Sequence, residues 1–341
     1  MEYRKLGRSG LKVSPLCLGA MMFGGPADEA ESQRMIGMAR DAGINFIDTA
    51  DVYNGGKSEE VVGRALQGER DRWVVATKLN GIMGPGPNQR GSSRKWIFEA
   101  ARASLRRLGT DYIDVYYLHR EDLETPLEES VRALGDLARA GDIRYFALSN
   151  HRAWRLAEIC SICDRLGLDR PVATQPHYNA LNRMAETEQI PAAHHFGLGV
   201  VPYSPLARGI LSGKYPASGD QPPADSRAAR KDARMMQTEW RPESLAIAQQ
   251  LKGHAEARGM PASQFATAWL LANRFVSSVI VGPRTPAQLA DYIAAVDRRL
   301  TPECEALVDR LVVPGYASTF GYRDPMEPNE GRYRGYSPAT R

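Results

Sequence analysis

Eight short apolar runs recur along this chain with amphipathic stretches between them, and that alternation restricts the fold more than any other feature. The runs occupy residues 16–18, 45–48, 73–77, 112–118, 145–149, 172–175, 199–203 and 278–281. They are rich in β-branched, aromatic and aliphatic residues, the composition of buried strands. The stretches between them have helical spacing. In Arg94–Leu108 the residues Ile97, Ala101, Leu105 and Leu108 share a face, and Gly109 is placed to cap the C-terminus. Asp28-Glu29-Ala30-Glu31 has the capping-box pattern of a helix start. Pro126 and Pro286 suit first helical turns. Eight strand–helix repeats predict an α/β protein with the (β/α)8 TIM-barrel fold. A doubly wound sheet loses its main support, because no G-x-G-x-x-G follows any strand. Gly84-Pro85-Gly86-Pro87-Asn88-Gln89-Arg90-Gly91 fails the spacing.

A length of 341 residues accommodates one such domain with extensions, so residues 1–341 read as a single unit. Residues 1–13 read as a hairpin around Gly7-Arg8-Ser9-Gly10, placed to plug the barrel bottom. Residues 205–241, after the seventh strand, lack periodicity and are rich in Gly, Pro, Ala and charge. A loop of that length leaving a strand C-terminus reads as a lid. Residues 314–341 read as an irregular tail, either folded over the mouth or loose.

The balance of 44 basic and 40 acidic residues is spread along the whole chain and argues against nucleic-acid or membrane partners. No segment approaches the roughly 20 apolar residues of a membrane span, and the N-terminus has no apolar signal core. Four cysteines in a chain this long do not form a disulfide framework. A cytoplasmic location is the expectation.

Strands two, three and four lead into polar residues. They are Asp48 and, five residues on, Tyr53; then Lys78; then His119. Singly, these read as a turn acid, a packing phenol, a solvated lysine and a loop histidine. Together, at one end of successive barrel strands, they read as one site. Reducing a carbonyl with hydride requires a proton for the developing alkoxide. A tyrosine supplies it if its pKa falls toward the working pH, and an adjacent ammonium produces such a fall. Lys78 would be that ammonium, Asp48 its ion-pair partner, and neutral His119 a donor to the substrate carbonyl.

The chain resembles the aldo-keto reductases from its N-terminal Tyr3-Arg4-Lys5-Leu6-Gly7 to about Leu311. The carrying motifs are Asn45-Phe46-Ile47-Asp48-Thr49-Ala50-Asp51-Val52-Tyr53, Thr77-Lys78, Asp111-Tyr112-Ile113-Asp114 through Leu118-His119-Arg120, and Ala147-Leu148-Ser149-Asn150. Later come Tyr203-Ser204-Pro205-Leu206-Ala207-Arg208-Gly209 and Ile280-Val281-Gly282-Pro283-Arg284. It is most similar to the bacterial branch related to potassium-channel β subunits. The resemblance implies a catalytic tetrad of Asp48, Tyr53, Lys78 and His119 and an NADPH/NADP+ cofactor. It implies that Ser149, Asn150 and Gln175 hold the nicotinamide carboxamide and that Tyr203 stacks on its ring. Ser204, Pro205, Leu206, Arg208 and Lys214 would meet the pyrophosphate. Gly282, Arg284, Gln288 and Asp291 would grip the adenosine end, and Met21 and Asp48 complete the cofactor set. Phe23, Tyr53 and His119 would line the pocket of a small-molecule carbonyl substrate.

Three departures from the family pattern stand out. Asn54-Gly55-Gly56 replaces the usual glycine after the tyrosine. Met21 and Met22 stand where relatives often carry an aromatic residue, and Asp291 where they carry Glu or Asn. Cys160-Ser161-Ile162-Cys163 has a redox spacing but falls in the helical stretch 152–166 and reads as packing. His194-His195 has no Cys or Glu at ligand spacing, so no metal site is expected. Two rival functions are a cofactor-binding regulatory subunit with slow turnover and a Schiff-base aldolase with Lys78 as nucleophile. The substrate is open among small aldehydes, sugar derivatives and bulky ring ketones, with a detoxifying or catabolic role. Whether the chain is a monomer or a homo-oligomer is equally open.

Overall fold

In the computed structural model, which describes residues 1–325, every one of the eight apolar runs forms or begins a strand of one parallel sheet. The strands are β1 (Leu16–Gly19), β2 (Phe46–Asp48), β3 (Val74–Leu79), β4 (Ile113–Leu118), β5 (Ile143–Ser149), β6 (Ala173–Gln175), β7 (Gly199–Val200) and β8 (Val279–Val281). Their spatial order starts at β8 and then follows the chain from β1 to β7. The sheet curls back on itself between its outer strands. There Ser277 N donates to Val200 O at 2.9 Å and Ile280 N to Pro202 O at 3.0 Å.

The ladder of the seventh strand is shorter than its apolar run, which extends to Tyr203. Neither Pro202 nor Pro176 on the neighbouring strand has an N–H to give, so regular pairing stops at Val200. Tyr203 still reaches the sixth strand through its N–H to Pro176 O, 3.1 Å.

Six helices alternate with the first seven strands: α1 (Glu29–Asp41), α2 (Lys57–Ala65), α3 (Arg94–Leu108), α4 (Leu127–Ala140), α5 (Ala153–Leu166) and α6 (Gln189–Phe196). Their ends follow local chemistry. Asp28 caps α1 through its Oδ1, which accepts from Glu31 N at 2.8 Å. Gly109 closes α3 in the left-handed region, at φ 62°. Between β7 and β8 lie a 3-10 turn at Ala207–Ser212 and the helices α7 (Ala233–Thr238), α8 (Pro242–Glu256) and α9 (Ala262–Ala272). After β8 come α10 (Pro286–Ala294), which opens on the expected proline, and α11 (Pro302–Leu311). No described helix is long and apolar enough to cross a membrane.

The period-two alternation of the strands sorts the core into two layers. Cys17, Phe46, Ala76, Val115, Ala147 and Val201 point inward and pack together. Ile47, Val75, Tyr116 and Leu148 point outward against the helices. Leu6, fully buried, comes from the hairpin of Arg4–Lys5 and Lys12–Val13 and joins the inner layer. The hairpin therefore plugs the N-terminal ends of the strands. Arg8 N–H to Gly197 O (2.8 Å) and the Asn45 amide to Lys12 O (3.0 Å) hold it there.

The described part of the tail crosses the other end. Ser318 N donates to Leu181 O at 2.8 Å, and the Arg241 guanidinium lies 4.0 Å from the Tyr322 ring centroid. Residues 326–341 of the expected tail lie outside the described residues.

Candidate active site

The same alternation that turns Phe46, Ala76 and Val115 inward also turns Asp48, Lys78 and His119 inward, two or four residues further along each strand. They sit at the C-terminal ends, the face where barrel sites are built. Backbone strain gathers at this face as well. Asn54, Asn80, Asn150, Ser204 and Arg208 all have positive φ, from 51° to 117°.

The Lys78 ammonium is fully buried and meets three acceptors. It pairs with Asp48 Oδ1, donates to Thr49 O at 2.7 Å, and donates to the Tyr53 hydroxyl at 3.3 Å. Burial favours the neutral amine, but Asp48 and Tyr53 outweigh it and hold the Lys78 pKa above the usual lysine value. Burial pushes Asp48 above the ordinary carboxylate range, against the pull of Lys78 and Gln175. Tyr53 departs from the sequence-based expectation of a lowered pKa. Burial raises it, and the opposing pull of Lys78 does not cancel that rise. His119 stands edge-on to Tyr53, ring centroids 5.8 Å apart. Burial, with Lys78 and Arg120 adding to it, holds its pKa well below the ordinary histidine value, so the ring is neutral at pH 7.

One hydrogen-bond network joins this group to the expected cofactor residues. Gln175 Nε2 donates to Asp48 Oδ2 at 3.0 Å, and Ser149 Oγ to Gln175 O at 3.0 Å. The Asn150 amide donates to Ser149 Oγ at 3.0 Å and to His119 O at 2.9 Å, and its oxygen accepts from the Tyr203 hydroxyl at 2.9 Å. His177 stacks on Tyr203 at 5.2 Å. Behind Tyr53, Asp51 N donates to Lys78 O at 3.1 Å. The buried Glu59 accepts from Thr77 (2.5 Å) and Arg107 (2.6 Å). Burial and then Glu59 push the Asp51 carboxyl up to about 7.

At the other end of the expected cofactor path, cations outnumber acids. Burial lowers the Lys214 pKa, with Arg284, Arg227 and Arg230 pushing the same way. Burial also lowers Arg227, and Arg208 adds to it. Arg208 Nε also donates to Thr238 Oγ1 at 3.3 Å. Arg284 forms an ion pair with Asp225 at 2.7 Å, and its N–H donates to Gln288 Oε1 at 2.8 Å. A Cβ built on Gly282 meets nothing within 4 Å, so the backbone there is open to close approach. Pro205 is buried, and Leu206 O accepts the N–H groups of Gly209 (2.8 Å) and Leu211 (3.1 Å), which shapes the turn carrying Arg208. This donor set fits a dinucleotide with several phosphates.

Two expected residues are placed otherwise. Phe23 is fully buried in the outer core, and its carbonyl accepts from the Asn54 amide at 2.8 Å. The first loop turns this aromatic inward for packing, so it is not a pocket wall. The Asp291 carboxylate is committed to α9, accepting from Ser263 Oγ and from Gln264 Nε2 at 2.7 Å. Met21 is exposed, and its carbonyl accepts from the Asn54 amide at 3.1 Å. Sequence reasoning missed Arg227, Arg234 and Asp324. The run Arg227-Ala228-Ala229-Arg230-Lys231-Asp232-Ala233-Arg234 carried the signal, a cluster of bases inside the segment 205–241.

The sequence model of the aldo/keto reductase family matches residues 15–312. The chain belongs to the aldo/keto reductase family. It is 40% identical over 331 residues to a probable voltage-gated potassium channel subunit beta of Oryza sativa subsp. japonica, covering 95% of this chain and 100% of that one. A probable voltage-gated potassium channel subunit beta of Arabidopsis thaliana is 40% identical over 303 residues, 87% of this chain and 92% of the other. The uncharacterized oxidoreductase YrpG of Bacillus subtilis (strain 168) is 38% identical over 314 residues, 89% and 93% respectively. In this aldo/keto reductase the eight-stranded barrel, its bottom hairpin and its long seventh loop all belong to the matched length or flank it directly.

Proposed function

We propose that this chain reduces an aldehyde or ketone to an alcohol with NADPH, and that Tyr53 is the general acid. The observation that carries the reading is the convergence of the Tyr53 hydroxyl on the buried Lys78 ammonium, with neutral His119 beside it. NADPH would supply the hydride. Tyr53 holds a proton at its hydroxyl, where the substrate oxygen becomes basic as hydride reaches the carbon. Burial keeps that phenol loaded at neutral pH. Lys78 stabilises the phenolate left behind, which matters most in the transition state. His119, uncharged, donates a hydrogen bond that orients the carbonyl. Asn150, Ser149 and Gln175 offer amide and hydroxyl partners for the carboxamide. Arg208, Lys214, Arg227 and Arg284 bind and orient the phosphates.

The aldolase alternative needs a neutral amine. Lys78 is instead paired with Asp48, and its three protons meet three acceptors. The regulatory alternative takes its support from the names of the plant relatives. Purified protein given NADPH and a panel of aldehydes and ketones separates them. Carbonyl-dependent loss of NADPH absorbance is expected. NADPH binding with no turnover on any carbonyl would favour the regulatory subunit.

A further inference from the structure

Arg120 follows His119 directly, at the mouth of the barrel. Its carbonyl is fixed by the Asn80 amide at 3.3 Å. Among the described residues no hydrogen bond or ion pair engages its guanidinium. The acids next to it in sequence are turned elsewhere. Glu121 accepts from Arg152 N at 2.7 Å, and Asp122 accepts from Ser92 N at 2.8 Å and Thr125 Oγ1 at 2.7 Å. A second guanidinium comes from α7. Arg234 holds the Asp324 carboxylate in a two-pronged pair, at 3.0 and 2.6 Å. Asp324 belongs to the tail that crosses the mouth. The charges form one neighbourhood. Burial depresses the Arg120 pKa, Arg234 depresses it further, and Tyr203, Asp324 and Tyr53 oppose them. Arg234 thus holds the Asp324 carboxylate, and the Arg120 guanidinium lies near enough to feel both charges and that of Tyr53. The planar fork on Asp324 is the geometry with which arginine holds carboxylates and phosphates.

We propose that Arg120 and Arg234 bind an anionic group on the carbonyl substrate, a carboxylate or a phosphate, and that Asp324 occupies this position as an internal competitor when no substrate is present. The inference rests on the reductase reading and names its substrate class. An anion held at Arg120 places the rest of the molecule toward Tyr53 and His119. Displaced, Asp324 frees both prongs of Arg234.

Matched pairs of aldehydes test this: 4-carboxybenzaldehyde against methyl 4-formylbenzoate, and glycolaldehyde phosphate against glycolaldehyde. The readout is the ratio of kcat/KM within each pair. Wild-type protein should prefer the anion in at least one pair, and the pair that responds identifies carboxylate or phosphate. Arg120→Gln should lower that ratio about tenfold, mostly through KM, as expected for one lost charge-assisted contact. Asp324→Asn, a change on the tail away from the barrel core, should raise it. Added salt should shrink it. Turnover of the neutral aldehydes with no anion preference would overturn the proposal and leave the reductase reading standing. Equal proportional losses on both members of a pair in Arg120→Gln would also overturn it. No turnover on any of the four compounds would overturn both.

Discussion

Three acceptors surround the Lys78 ammonium, and that count decides what the lysine does. With all its protons engaged and its pKa raised, it acts as a fixed positive charge beside Tyr53. Burial raises Tyr53 while Lys78 lowers it, so removing the charge leaves burial unopposed. Lys78→Met should therefore raise the Tyr53 pKa further and slow reduction by roughly 100-fold or more at neutral pH. The acid form of Tyr53 is the active one in reduction, so the rate falls as pH rises through its pKa. That alkaline limb should move to higher pH in the variant. A pH–rate profile with the wild-type limb would contradict the coupling. The inward placement of Asp48, Lys78 and His119 was legible because alternation along a strand fixes a side chain's face within a few residues. Phe23 was not. It lies in a loop with no period, and whether a loop aromatic faces the pocket or the core depends on partners such as Asn54, 31 residues away.

At the scale of elements, strands and helices were readable and the segment 205–241 was not. Arg94–Leu108 has a continuous apolar face and a terminal glycine, so its bounds follow from the sequence. The six-residue α7 is too short to show a period, and the key contacts of that segment are distant. Arg284 and Asp225 are 59 residues apart and meet only because the segment after β7 folds back to the turn that follows β8. That pair bears on cofactor choice. NADPH differs from NADH by the 2′-phosphate, which the Arg284 fork would bind in place of the exposed Asp225 carboxylate. Arg284→Ala should weaken NADPH by roughly ten- to a hundredfold, the loss of one or two charge-assisted hydrogen bonds, and leave NADH almost unchanged. Fluorescence titration of both cofactors measures it. Equal losses would show that Arg284 does not read the 2′-phosphate.

On the scale of the whole molecule, the barrel separates stability from chemistry. The hairpin and Leu6 seal one end, the apolar inner layer fills the middle, and every group of the candidate site lies at the other end. Tyr53, Lys78, His119, Asn150 and Tyr203 come from five different strand ends, so only the closed barrel brings them together. If that mouth is a reductase, deuterium from NADPH carrying deuterium at both C4 positions must reach the carbonyl carbon, and the rate must depend on Tyr53. The most direct measurement follows deuterium transfer to an aldehyde by wild-type protein and by Tyr53→Phe, with NADPH affinity measured in both. The prediction is a monodeuterated alcohol from wild type and a rate roughly 100- to 10,000-fold lower from the variant, at nearly unchanged affinity. Transfer by Tyr53→Phe at close to the wild-type rate, or a wild-type alcohol without deuterium, would contradict it.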